Sequence, residues 1–396
     1  MPPSFSSGLR IRPPGQVSSL TYTVTPQTVP VKEPPKEGVQ RCAAGPWGDI
    51  EYHYIYLEAS EHVVSRFRMP GSQPIWAFPG ATVESLVELF ERARIPADWM
   101  DYWLKPPCLV EMEGRLNILV PIQHLEQLMP EQRALIYREL AKHEVNEYHR
   151  DPVFITSGSV EEFLRHAELS NEDARWFARA CYRRGKVLCF SDVRALVARA
   201  RTATEALRFM KLCTRTRALV ARLRVTEQTD INALLDYWTD GERRKDMKPL
   251  LYSVAAQRVS IDIAHLLPPL ARKLLNGYPP FELAIKGRMP DCHWSSLNFF
   301  NYEPRDYYLD TRLAASHVVE NFDPIEAPYR YGDKLLFLTA DQKAFHSCVY
   351  IAADIVFSKN GDNAANPWIL THLGDLEQIY LSAEGGRIQG YRSRHS

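Results

Sequence analysis

Between Gly185 and Gly241 the chain runs for 55 residues without a glycine or a proline. Those two residues are the main local breakers of regular structure. The stretch therefore predicts long helices, in the simplest case a hairpin of two. The flanks read differently. Eight of the 28 prolines fall in the first 40 residues, among Ser, Thr, Val and Gly, which predicts an extended tether over residues 1–45. Beyond about residue 260, Pro-rich turns, aromatics and short β-like runs return.

A chain of 396 residues has room for two or three domains. With 45% apolar and 24% charged residues it is neither wholly disordered nor collagen-like. Ile50 to Leu57 places Tyr52, Tyr54 and Tyr56 on one face of a predicted strand. Thr82 to Ala93 predicts an amphipathic helix, and Arg115 to Val120 a strand stopped by Pro121. These signals predict a small mixed α/β domain over residues 46–125. From Pro130, suited to a first helical turn, a helical, Arg-rich region is expected over 126–258. A C-terminal α+β domain follows over 259–396, so the expected class is multidomain α+β. No run approaches the ~20 apolar residues of a membrane span. The start, Met1-Pro2-Pro3-Ser4, lacks the charged and apolar regions of a secretory signal, as would a chain whose signal had been removed.

The net charge of zero hides a local imbalance. Residues 174–225 carry 14 Arg or Lys against two acids, Asp192 and Glu205, a local excess of +12. Arg194, Arg201, Arg208, Arg215 and Arg222 recur every seven residues, and on one continuous helix they would form a slowly drifting stripe. Such a stripe suits an anionic polymer such as wall glycan, lipid headgroups or nucleic acid. The commoner role of such a charge run is a solvated face or an interface with the acidic remainder. Few aromatics interleave the arginines, which disfavours single-stranded nucleic acid.

Seven scattered cysteines (42, 108, 181, 189, 213, 292 and 348) include no C-x-x-C pair, so neither a zinc site nor a disulfide scaffold is indicated. His143 and His149, six residues apart, do not share a helix face as a zinc-peptidase pair would, and a surface helix end is expected there. Pro290-Asp291-Cys292-His293-Trp294 predicts a helix capped by Asp291. Cys292 would then occupy its first turn, where the helix dipole favours a thiolate. That is a nucleophile geometry, although inert core cysteines are commoner. Tyr331-Gly332-Asp333 leads into a strand from Lys334 to Leu338. Strands are also expected at Ser347–Ile351 and Ile355–Ser358, joined by a turn at Ala352-Ala353-Asp354. His346 would head this hairpin toward the Cys292 helix, with Ser358 roughly opposite and Asn360 further along the same face.

This order resembles the NlpC-type branch of the papain-like cysteine peptidases, over about residues 260–380. Members carry Asp-Cys-Ser-Gly opening a helix, Pro-Gly-Asp-Leu before a strand, and His-Val-Gly-Ile-Tyr-Ile heading a hairpin. The matching positions are Asp291-Cys292, Gly332-Asp333-Lys334-Leu335 and His346-Ser347-Cys348-Val349-Tyr350-Ile351. Leu309-Asp310-Thr311 stands near the family's Leu-Pro-Arg-Thr. A short helix near Pro269 to Leu275, followed by Gly277-Tyr278-Pro279, resembles its opening helix and Pro-Tyr segment. Departures are His293-Trp294 for Ser-Gly, Tyr331 for proline, an inserted Lys334, Cys348 for glycine, and Ser358 for the residue that orients the imidazole.

The resemblance implies a papain-like domain with an antiparallel sheet and a cysteine hydrolase acting through Cys292 and His346. Asn360 is the expected third residue and Ser358 the aligned one. Backbone N–H at Cys292, with Tyr278 assisting, would hold the oxyanion. The implied substrate is a peptidoglycan stem peptide, the implied location periplasmic or extracellular, and no cofactor or metal is implied. Two alternatives stand beside it: an inactive papain-like binding or scaffold protein of the envelope, and a Cys-dependent acyltransferase or amidase on another substrate.

Overall fold

The computed structural model describes residues 9–10, 38–67, 69–156, 158–239, 243–381 and 386–394. The expected tether lies mostly outside the described residues. Within it, Gln40–Arg41 pairs with the strand Asp49–Leu57 and Leu9–Arg10 pairs with Ala344 and Lys343. Helices and antiparallel sheets both contribute, so the class is α+β.

Two compact units replace the expected series of three domains. Among the described residues, 58–216 form one, and the other joins 9–10 and 38–57 with 217–394. The boundaries at 125/126 and 258/259 are therefore corrected. The cause is a long-range pairing: Asp49–Leu57 lies next to Thr216–Arg224 in a four-stranded sheet with Gln40–Arg41 and Ser260–Asp262. Ile50, Leu219, Ala221 and Leu223 from this sheet share a core with Trp294, Val349 and Phe357. Burial of each such large apolar side chain stabilises by about 1.5–3 kcal/mol, so residues 46–57 and 217–258 belong energetically with the C-terminal part.

The unit of residues 58–216 holds two three-stranded antiparallel sheets. One contains Ile75–Pro79, Arg115–Leu119 and Leu109–Met112, and the other Val153–Ile155, Val187–Phe190 and Tyr182–Arg184. The predicted helix appears as Val83–Arg92, capped by Thr82, whose hydroxyl accepts from Ser85 N. Trp76 packs edge-on against Trp103 and Tyr137. Arg133, 1% exposed, donates from Nε to Asp192 Oδ2 at 3.0 Å, and the Tyr137 hydroxyl donates to Asp192 Oδ1. His149 is buried against Tyr137, which corrects the expected surface helix end. Burial, then the charge of Arg194, lowers its pKa to about 3, so its imidazole is neutral.

The expected hairpin of long helices between Gly185 and Gly241 does not form. Short helices at Val193–Ala198 and Ala203–Cys213 give way to the strand Thr216–Arg224, followed by the helix Ile231–Thr239. Thr214 ends Ala203–Cys213 in helical backbone, and the β-branched Thr216 and Val220 favour the extended backbone that follows. The arginine stripe disappears with the continuous helix it needed. Arg194 and Arg208 sit on separate helices, Arg201 and Arg215 between elements, and Arg222 on a strand opposite Asp262. Arg215 is 8% exposed, paired with Glu58 and bonded to the carbonyl of Phe163, so it is committed to the core.

The main sheet of the second unit has six antiparallel strands along its path. They are β1 (Phe322–Ile325), β2 (Lys334–Leu338), β3 (Lys343–Ala352), β4 (Ile355–Lys359), β5 (Trp368–His372) and β6 (Arg387–Ser393). Their spatial order is β1-β6-β2-β3-β4-β5, with Leu9–Arg10 attached to β3. The turn from β3 to β4 places Ala353 at φ +49° and Asp354 at φ +63°. Left-handed backbone at both positions is what a two-residue hairpin turn requires. Helix α1 (Cys292–Leu297) and helix α2 (Leu373–Tyr380) cover opposite faces of this sheet, as their partners below establish.

Candidate functional site

Asp291 caps α1 by accepting from Trp294 N at 2.7 Å, and Cys292 is the first helical residue, as the sequence predicts. The thiol-bearing residue is 6% exposed. Two serines fix the helix to the sheet: Ser296 Oγ meets Ser347 Oγ at 2.8 Å, and Ser295 Oγ accepts from Trp368 Nε1 at 2.8 Å. Residues i and i+4 share a helix face, so Cys292 looks toward the sheet as Ser296 does. The α1 face of the sheet is thus defined by Ser347, Val349, Ile351, Phe357 and Trp368, and Trp294 and Leu297 pack into the same core.

His346 belongs to the other face. Side chains alternate along a strand and directly paired residues share a face. His346 pairs with Phe337 and Cys348 with Leu335. The imidazole stacks on Tyr380 of α2, with centroids 4.0 Å apart and planes 14° apart, and meets Phe337 edge-on. Cys348 packs with Leu335, Phe337, Tyr350, Val356 and Leu376. Its thiol pKa is raised by burial and, secondarily, by Cys292.

The expected catalytic residues fall into two groups. His346, Ser358 and Asn360 come together as the sequence suggests: Ser358 Oγ donates to Asn360 Oδ1 at 3.1 Å and lies 3.2 Å from His346 Nε2. With that hydroxyl hydrogen spent, the serine oxygen accepts from the imidazole N–H. Ser358, rather than Asn360, touches the ring. The cluster faces α2, and no hydrogen bond joins His346 to Cys292 among the described residues.

The α1 face presents a different basic group. Val349 pairs with Phe357, and continuing that register sets Ser347 opposite Lys359. Lys359 also pairs with Trp368 on β5. Both neighbours are the residues pinned by α1, so Lys359 lies on the strand between the two anchor points. Its side chain is fully buried, and Nζ donates to the carbonyls of Gly361 at 2.7 Å and Asn363 at 3.2 Å. Burial lowers its pKa to about 8, opposed by the charges of Asp362, Asp291 and Cys292. Asp362 is raised, chiefly by its own burial.

The remaining motif positions act as supports. Asp333 is 3% exposed and gripped by Arg392, from Nε at 2.9 Å and Nη2 at 2.7 Å. Gly332 has φ +92°, and a Cβ there would meet the Phe300 ring at 2.5 Å. Lys334 Nζ lies over the rings of Phe299 and Phe300 at 5.2 and 5.0 Å. Asp310 caps the helix Thr311–Asn321. Tyr278 follows Gly277, whose carbonyl accepts from Trp368 N at 3.1 Å.

All seven cysteines are free thiols. Among the described residues no cluster of His, Cys, Asp or Glu is arranged to hold a metal, and no helix is long and apolar enough to cross a membrane. Comparison with protein families, with curated proteins and with solved structures gives no match.

Proposed function

We propose that the chain is a thiol-dependent hydrolase cleaving an amide or related acyl bond, with Cys292 as nucleophile. The observation that carries this reading is the position of Cys292. It opens an Asp291-capped helix that is held against an antiparallel sheet. In the reaction, Sγ attacks the carbonyl carbon, the tetrahedral intermediate expels the amine, and water releases the acyl group from sulfur. The resemblance to NlpC-type peptidases supplies the substrate class, a peptidoglycan stem peptide. An acyl transfer or amidase reaction on another substrate would use the same thiol.

The test is digestion of purified peptidoglycan by wild type and Cys292→Ala, with products identified by mass spectrometry. Peptide fragments released by wild type alone support the reading. Equal release by both proteins overturns it.

A second reading has its own observation. The His346 imidazole is occupied by Ser358 and Tyr380 on the far face of the sheet, which suits a papain-like frame kept for binding. Both proteins sedimenting with peptidoglycan while neither cleaves it would favour that reading.

A further inference from the structure

We infer that the unit of residues 58–216 carries a cleft that binds a carboxylate through Arg194 and His149. The site is separate from Cys292 and does not rest on the hydrolase reading.

Arg194 stands out among the regularly spaced arginines. Arg208 pairs with Glu168 and Arg215 with Glu58, while Arg201 and Arg222 are exposed to water. Arg194 is partly buried in the first turn of Val193–Ala198, and among the described residues it has neither an ion pair nor a hydrogen bond. A guanidinium withdrawn from water without a counter-charge is destabilising.

A partly open cavity of about 30 Å³ is lined by Arg194 and His149 together. Three other polar side chains around it are already committed. Asn146 serves the backbone of Ala77 and Leu140, Ser191 meets Tyr182, and Asp192 holds Arg133 and Tyr137. His149 is different. Its ring meets Tyr137 edge-on at 4.6 Å and is 9% exposed, yet the imidazole makes no hydrogen bond among the described residues. Buried polar groups nearly always have a partner. An uncommitted imidazole and an uncommitted guanidinium on one small cavity therefore mark a place for an acceptor from outside the chain.

Size and charge narrow the ligand to a carboxylate. The cavity holds about two water-sized groups, which matches two carboxylate oxygens, with the remainder of the ligand outside. Arginine presents a planar fork of donors that fits this group. The neutral imidazole adds one N–H donor. Glu147 also borders the cavity without an ion pair. Its charge opposes every anion, and inorganic phosphate more strongly than a carboxylate of single charge. Ile75, Trp76 and Leu125 supply apolar wall for a short substituent.

The test follows the histidine ring signals of the full chain by NMR at pH 7.5 and constant ionic strength. His149 is assigned through His149→Gln, and acetate, N-acetylalanine or inorganic phosphate is titrated in. The expected result is a saturable shift of the His149 signal with both carboxylates and weaker binding of phosphate. Tighter binding of N-acetylalanine assigns the group to a peptide C-terminus, and tighter binding of acetate to a small free acid; either supports the inference. Arg194→Met should weaken acetate binding about tenfold or more, the scale of a hydrogen bond to a charged group. Glu147→Gln should strengthen it about threefold, the scale of an exposed charge pair. Folding of each variant is checked by circular dichroism. A His149 signal that stays still, or moves without saturating, means that the cavity holds water only and overturns the inference. So does phosphate binding as tightly as acetate, or a folded Arg194→Met that binds acetate as wild type does. Should Arg194→Met not fold, Glu147→Gln decides: tighter binding supports the inference, and unchanged or weaker binding overturns it. Should neither variant fold, saturation in wild type with preference for the carboxylates supports it, and the lack of either overturns it.

Discussion

Ser296 on α1 and Ser347 on β3 lie 2.8 Å apart, hydroxyl to hydroxyl, with both side chains buried. The contact fixes which side of the sheet the Cys292 helix occupies, because Ser347 and its neighbour His346 point to opposite faces. A double-mutant cycle with Ser296→Ala and Ser347→Ala should give a coupling energy of about 1 kcal/mol by chemical denaturation. Strictly additive losses would mean that the two serines do not meet.

The parity of that strand is not legible in the sequence. The elements themselves were legible: β2 falls on the expected Lys334–Leu338, β4 within one residue of its expected end, and Asp291 caps α1 as its residue type suggests. Ser358 and Asn360 were legible as neighbours of His346 from the period of two alone. Which face α1 covers was not, because β3 is buried on both sides over most of its length. A strand covered on both faces loses the apolar–polar alternation that would assign them. The unit boundary was hidden by separation: Asp49–Leu57 and Thr216–Arg224 are adjacent in space but about 160 residues apart, and no local pattern announces that partnership. The arginine spacing misled because it assumed one helix where Thr214 to Thr216 turn the chain into a strand.

In the unit of residues 58–216, Asp192 is the acceptor for both Arg133 and Tyr137 in a dry environment. Asp192→Ala leaves a buried guanidinium without its counter-charge. The expected loss is about 3–5 kcal/mol, read as a lower midpoint in urea. A loss below about 1 kcal/mol would show that water reaches and solvates Arg133.

His149 makes the same unit sensitive to acid. Its folded pKa is lowered from 6.5 to about 3 by burial and by Arg194. Between those values the unfolded chain binds a proton that the folded chain does not. Stability therefore falls as pH drops through 6.5 toward 3, by about 1.4 kcal/mol per pH unit from this group. Denaturation at pH 7 and pH 4.5 should show a smaller difference in His149→Gln than in wild type. An unchanged difference would assign the acid sensitivity to other groups.

The central claim is that thiol chemistry at Cys292 runs on the α1 face without His346. The most direct measurement is the rate of Cys292 alkylation by iodoacetamide in His346→Gln, across pH 6 to 9.5 and with the fold confirmed by circular dichroism. The profile should superimpose on that of wild type. A folded His346→Gln protein whose Cys292 reacts about tenfold more slowly would contradict it and restore the imidazole as the partner of the thiol.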